Sequence, residues 1–100
     1  MKNMVIARRY AKALLLIGKE DGQTENYRDE LDGIAGLITG DKQLEQAINN
    51  PLYEAAGRRN VLQAVVEKFE LSGVMKSFVL LLFDKGRIGF LSAINDNYQK

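Results

Sequence analysis

Cysteine and histidine are both missing from the 100 residues. Without cysteine there are no disulfides, thiolate metal ligands or thiol nucleophiles, which fits a reducing compartment. Without histidine there are no imidazole ligands, and no serine or cysteine triad built on an imidazole base. The adjacent acids Glu20-Asp21 and Asp29-Glu30 do not replace them, because neighbouring positions on a helix diverge instead of converging on a metal or substrate. The expectation is a non-catalytic protein with no catalytic residues, no metal and no cofactor.

An excess of charge is missing too. Fourteen basic against 13 acidic residues leave +1, too little for a whole-molecule field that gathers nucleic acid or anionic lipid. Long apolar runs are absent: Ala13 to Ile17 is too short for a signal-peptide core, and nothing approaches the roughly 18 residues of a membrane span. These features predict a soluble cytoplasmic domain without direct membrane insertion. Proline occurs once, at Pro51, where it constrains Asn50 to an extended conformation and breaks the chain.

What is present is helical periodicity at a composition, 46% apolar, that supports one compact domain. A first helix is expected from about Met4 to Lys19, with Ile6, Tyr10, Ala13 and Ile17 on one stripe and Ala7, Ala11 and Leu14 on the next. Gln23 to Thr39 reads as a second, with Tyr27, Leu31, Ile34, Ala35 and Ile38 inward and Gly40 as its cap. Asp41 caps a third over Lys42 to Asn49. The fourth runs from about Tyr53 to Phe69, with Leu62, Val65, Val66 and Phe69 as its stripe. Ser72 caps the fifth and Gly86 ends it, and Ile88, Leu91, Ile94 and Tyr98 form the stripe of a sixth. No segment alternates with the period of a strand. The fold class is therefore all-α, a single six-helix bundle over residues 1–100.

Two helices are more apolar than one core requires. On the fifth, Val74, Phe78, Leu81 and Leu82 share a side, while Met75, Val79, Leu80 and Phe83 extend the apolar surface most of the way round. The first carries two adjacent stripes where one suffices. Periodicity alone places Tyr10, Ala13, Phe78 and Leu81 in an ordinary core, together with Ala7, Ala11, Leu14, Leu82 and Phe83. Charge is segregated as well: residues 1–19 hold five basic and no acidic residues, and residues 20–32 hold six acids against Arg28 alone. Antiparallel pairing of the first two helices would set these fields side by side. The pair Arg58-Arg59 reads as exposed, and Asp84-Lys85-Gly86-Arg87 as a helix C-terminus whose cations favour the negative dipole end, not as a phosphate loop.

At Ala7, Arg8, Tyr10, Ala11, Lys12, Ala13 and Leu14, at Asn50-Pro51-Leu52, and at Leu81, Leu82, Lys85, Gly86, Arg87, Leu91, Ile94 and Tyr98, the chain resembles the delta-subunit family of F-type ATP synthases. The mitochondrial counterpart of that subunit is the oligomycin-sensitivity-conferring protein. Glu54 to Asn60 departs from the family's lysine-rich helix start. The resemblance covers only the family's N-terminal domain, and the chain stops two residues after Tyr98, as expected at a domain boundary; the C-terminal domain is absent. It implies a non-catalytic stator component on the cytoplasmic side of the inner (plasma) membrane, peripheral within the ATP synthase complex. It also implies a groove between the first and fifth helices that holds the N-terminal helix of an alpha subunit, with the b subunit of the peripheral stalk contacted mainly through the absent domain. Carried onto this sequence, the partner-binding residues are Ile6, Tyr10, Ala13 and Ile17 with Val74, Phe78 and Leu81, and with Arg9 and Lys85 at the edge. The alternative is a small helical DNA-binding domain using the basic first helix, against which stands the near-neutral net charge.

Overall fold

The computed structural model describes residues 2–99, with side chains from Met4 onward. Six α-helices account for most of them: α1 (Lys2–Asp21), α2 (Thr24–Gly40), α3 (Lys42–Asn49), α4 (Ala55–Lys68), α5 (Gly73–Asp84) and α6 (Leu91–Gln99), with a single 3-10 turn at Ile88–Phe90. There is no strand among the described residues. The expected all-α fold is the observed one.

The caps explain several boundaries. Asp41 accepts from the backbone N–H groups of Gln43 and Leu44 at 3.0 and 3.2 Å, satisfying donors that the first turn of α3 leaves unpaired. The Ser72 hydroxyl accepts from the Met75 N–H at 3.4 Å. Gly86, at φ +73°, ends α5: its N–H bonds the Phe83 carbonyl, and the Arg87 N–H bonds the Leu82 carbonyl at 2.7 Å. Only glycine takes that left-handed conformation without a Cβ penalty.

Several boundaries differ from expectation: α1 extends two residues further at each end, α4 stops at Lys68, and Ile88, expected on the sixth helix, lies in the 3-10 turn that precedes it. Two further differences have a visible cause. Gly40 is the last helical residue of α2 and not its cap; Asp41, extended at φ −124° and ψ 103°, closes α2 and opens α3 at once. Helix α4 begins at Ala55 instead of Tyr53. The Asn50 side chain accepts from the Leu52 N–H at 2.9 Å, and the Tyr53 N–H bonds the Asn50 carbonyl, so an Asx turn holds these residues out of the helix.

The packing is organised by α6, which lies against both α1 and α2, while α4 packs on α3 and α5. Leu14, Leu31, Ile34, Leu62, Met75 and Ile94 are fully buried in one continuous core. The radius of gyration, 12.8 Å, is that of one compact body of this length, roughly 13 Å. Close approach at the α1–α2 turn depends on Gly18, where a Cβ would stand 3.1 Å from the Thr24 Cα.

The arginines read as merely exposed are anchored. Arg58 lies 5.3 Å from the centre of the half-buried Phe83 ring and donates to the Tyr53 and Ile48 carbonyls. Arg59 donates twice to Asp84, at 2.9 and 3.1 Å, and that pair draws the Asp84 carboxyl below its ordinary range. Phe69 is 40% exposed rather than core, its ring lying over Gly33. No ion pair joins the basic α1 to the acidic α2 among the described residues; the pairs are Arg28–Glu25, Arg59–Asp84 and Lys76–Glu67. The α2 acids find other donors: Glu30 receives both the N–H and the hydroxyl of Ser72 at 2.7 and 2.8 Å, and Asp32 receives the Asn95 amide.

Candidate interaction groove

A helix sitting on a core buries one stripe, and α1 does so with Ala7, Ala11 and Leu14, all at most 4% exposed. Its neighbouring stripe is left partly open: Ile6 and Tyr10 are half-buried and Ala13 and Ile17 exposed. Helix α5 repeats the pattern. Met75, Val79 and Leu82 are fully buried, whereas Val74 is half-buried and Leu81 is 44% exposed.

The two open stripes face a common groove. Ile17, Val74 and Leu81, with Gly73 and Ser77, line a depression of about 400 Å³ whose floor is Phe78, a member of the buried core at 8% exposed. Ile6, Arg9, Tyr10 and Ala13, with Arg87, line another of about 430 Å³. Between them the Tyr10 and Phe78 rings meet edge to face, centroids 6.2 Å apart and planes at 74°, a geometry that suits the opposed charges of ring edge and ring face. This contact is the saddle dividing the groove. The helices run antiparallel along it, since the start of α5 accompanies Ile17 and the residue beyond its end accompanies Ile6. With Ile6 and Ile17 eleven residues apart on α1, the groove extends roughly 16 Å at about 1.5 Å per residue, three turns of a guest helix.

Of the partner-binding residues named from sequence, eight line these two depressions, and Lys85 does not. The cation beside Arg9 is Arg87. Lys85 stays exposed at the C-cap of α5, and the left-handed turn at Gly86 carries Arg87 back over α1. There its guanidinium donates to the Tyr10 hydroxyl at 3.0 Å and sits 5.8 Å from the centre of that ring. Periodicity within α5 could not have found Arg87, which lies beyond the helix; its place after the terminating glycine was the available signal.

The position of α5, and with it one wall of the groove, is held from α2. Glu30 meets the first turn of α5 as an anion at the positive end of the helix dipole while binding Ser72. One turn earlier on α2, Tyr27 donates to Asp21 at 2.7 Å; this hydrogen bond, reinforced by burial, pushes the phenol up to about 12.

Elsewhere the surface offers less. Leu52 and Tyr53 are 89% and 54% exposed in the α3–α4 turn, an isolated apolar tip. A further depression of about 500 Å³ near the start of α4 is lined by Arg58, Arg59 and Asp84, whose charges are already partnered. No cluster of three or more acidic side chains with metal-binding geometry occurs among the described residues, and none of their helices is long and apolar enough to cross a membrane.

Compared with known families, residues 6–100 match the ATP synthase delta (OSCP) subunit. The "ATP synthase subunit delta" of Desulfatibacillum aliphaticivorans is 59% identical over 100 residues, all of this chain and 55% of that protein. That of Desulfosudis oleivorans is 54% identical over 99 residues, 99% of this chain and 54% of that protein, and that of Syntrophus aciditrophicus is 39% identical over 99 residues, 55% of its length. The chain thus spans about half the length of the curated relatives it matches. A match running nearly end to end on a six-helix chain, with identity this high, makes the chain a member of the ATP synthase delta (OSCP) subunit family.

Proposed function

We propose that these residues form the N-terminal domain of a non-catalytic stator component, which holds the N-terminal helix of an alpha subunit in the α1–α5 groove and so links the catalytic head of ATP synthase to the peripheral stalk. The observation that carries the reading is the groove itself: two apolar stripes, on helices each already buried along another face, left open opposite one another. Three turns of an amphipathic helix with anchors at i, i+3, i+4 and i+7 suit its length, the apolar side chains supplying affinity and the rim charges orientation.

A stator transmits torque by remaining bound while the rotor turns, which demands slow dissociation and no chemistry. Stable interfaces bury roughly 800 Å² on each partner. The remainder of a full-length subunit adds to the grip of this groove and contacts the b subunit of the peripheral stalk. The complex then carries the domain at the cytoplasmic side of the inner (plasma) membrane, without insertion of its own. The family match lends nothing to the alternative of a DNA-binding first helix.

The test is calorimetric titration of the 100-residue chain with a synthetic peptide of the alpha-subunit N-terminus from Desulfatibacillum aliphaticivorans. Saturable one-to-one binding with a negative heat-capacity change is expected of an apolar groove. Absence of binding to the folded, monomeric chain removes the groove assignment.

A further inference from the structure

The groove is electrically asymmetric. Arg9 and Arg87 line one of its depressions, and no charged residue lines the other. The antiparallel walls bring opposite dipole ends to each end of the groove, so the side chains decide its polarity.

These two guanidiniums also differ from those of Arg28, Arg58 and Arg59. Arg28 bonds the backbone and side chain of Gln99 and pairs with Glu25, Arg58 bonds two carbonyls, and Arg59 holds Asp84. For Arg87 the polar contact is the neutral Tyr10 hydroxyl, and neither Arg9 nor Arg87 has a carboxylate within ion-pair distance among the described residues. A guanidinium carries five N–H donors, so Arg87 is braced by Tyr10 on one side with donors to spare. Bracing lowers the entropy lost when a carboxylate binds.

We infer that Arg87 and Arg9 form a carboxylate-reading subsite that fixes the direction of the guest helix, placing its more acidic end beside Ile6 and Ala13 and its uncharged aliphatic end beside Ile17, Val74 and Leu81. The inference rests on the groove reading above. Full side-chain charges outweigh the half-charge of the guest's own dipole, so carboxylate position and not helix polarity sets the orientation. Arg87 is thereby a specificity-determining residue, whereas Lys85 is not.

Two measurements on the 100-residue chain test this, using the Desulfatibacillum alpha-subunit N-terminal peptide carrying a nitroxide at one end or the other. With the label at the carboxylate-rich end, the methyl signals of Ile6 and Ala13 are expected to broaden; with the label at the opposite end, those of Val74 and Leu81. In calorimetry, Arg87→Gln should weaken the peptide about two- to fivefold, as loss of one partly exposed ion pair does, and should leave unchanged the affinity of a peptide whose Asp and Glu are replaced by Asn and Gln. Arg9→Gln, at an exposed position, should act in the same direction. A peptide that broadens the groove methyls in the reverse order, or whose affinity ignores Arg87, overturns the subsite while leaving the groove intact. A peptide that perturbs none of these methyls overturns the groove and the subsite together.

Discussion

Leu81 and Leu82 are neighbours on α5, equally apolar, and the first is 44% exposed while the second is completely buried. The contrast repeats on α1, where Ile17 is 39% exposed and Leu14 wholly buried. A hydrophobic side chain is a demand for cover, and what separates the two faces is who supplies it. The bundle covers Leu14 and Leu82; the open face has no cover within the described residues. Mean apolarity therefore does not mark the limit of a core, and contiguous open apolar surface marks a place for a partner.

The sharpest way to test that division is to truncate the neighbours separately. Leu82→Ala removes a fully buried side chain and is expected to cost about 2–5 kcal/mol of stability, measured by urea unfolding, with peptide affinity unchanged once the folded fraction is allowed for. Leu81→Ala should reverse the pattern: a stability loss below about 1 kcal/mol and roughly tenfold weaker peptide binding. Equal stability losses for the two variants would mean that the groove face belongs to the core.

Alkaline unfolding separates the scaffold from the groove by another route. Tyr27 keeps its proton up to about 12 because it donates to Asp21 and is buried, whereas in the unfolded chain it ionises near 10. A raised folded-state value contributes stability below pH 10 that is lost as pH rises from 10 toward 12. Tyr27→Phe should therefore lower stability at neutral pH and flatten the decline over that window, measured by thermal unfolding as a function of pH. An unaltered slope would show that Tyr27 does not titrate differently in the two states.

The smallest effect lies at the α4–α5 junction. Glu70 holds φ at 57°, a left-handed position that an L side chain occupies at a cost of about 1–2 kcal/mol. Glu70→Gly removes that cost but adds freedom to the unfolded chain, leaving an expected gain of roughly 0.5–1 kcal/mol. The binding of the alpha peptide should not change, because this turn lies outside the residues that line the groove.

Much of the fold was legible in local patterns. Asp41, Ser72 and Gly86 marked their helix ends correctly, because a cap satisfies backbone groups within three or four residues and needs no distant partner. The stripe Ile88, Leu91, Ile94 and Tyr98 is buried as periodicity predicts. Gly40 misled because glycine permits a left-handed cap without imposing one, and the extended Asp41 served both helices. Pattern alone starts the fourth helix two residues early because an Asx turn at Asn50 competes with helix for the same backbone donors.

The groove was less legible. Periodicity sorted the residues of α1 and α5 into stripes, and only family resemblance separated the stripe that stays open from the stripe that is covered. Arg58, Arg87 and Glu30 each acquire their partners from another element, at separations of 10, 77 and 42 residues, beyond the reach of any local pattern.

By itself the sequence determined which segments are helical, where most of them stop, and that imidazole and thiol chemistry are excluded, since propensity, capping and composition act along the chain. The tertiary structure decided which apolar faces remain open and which cations stand beside them. Cover is a property of arrangement: α6 lies against α1 and α2, α4 lies against α5, and the strip between α1 and α5 is what that packing leaves unfilled.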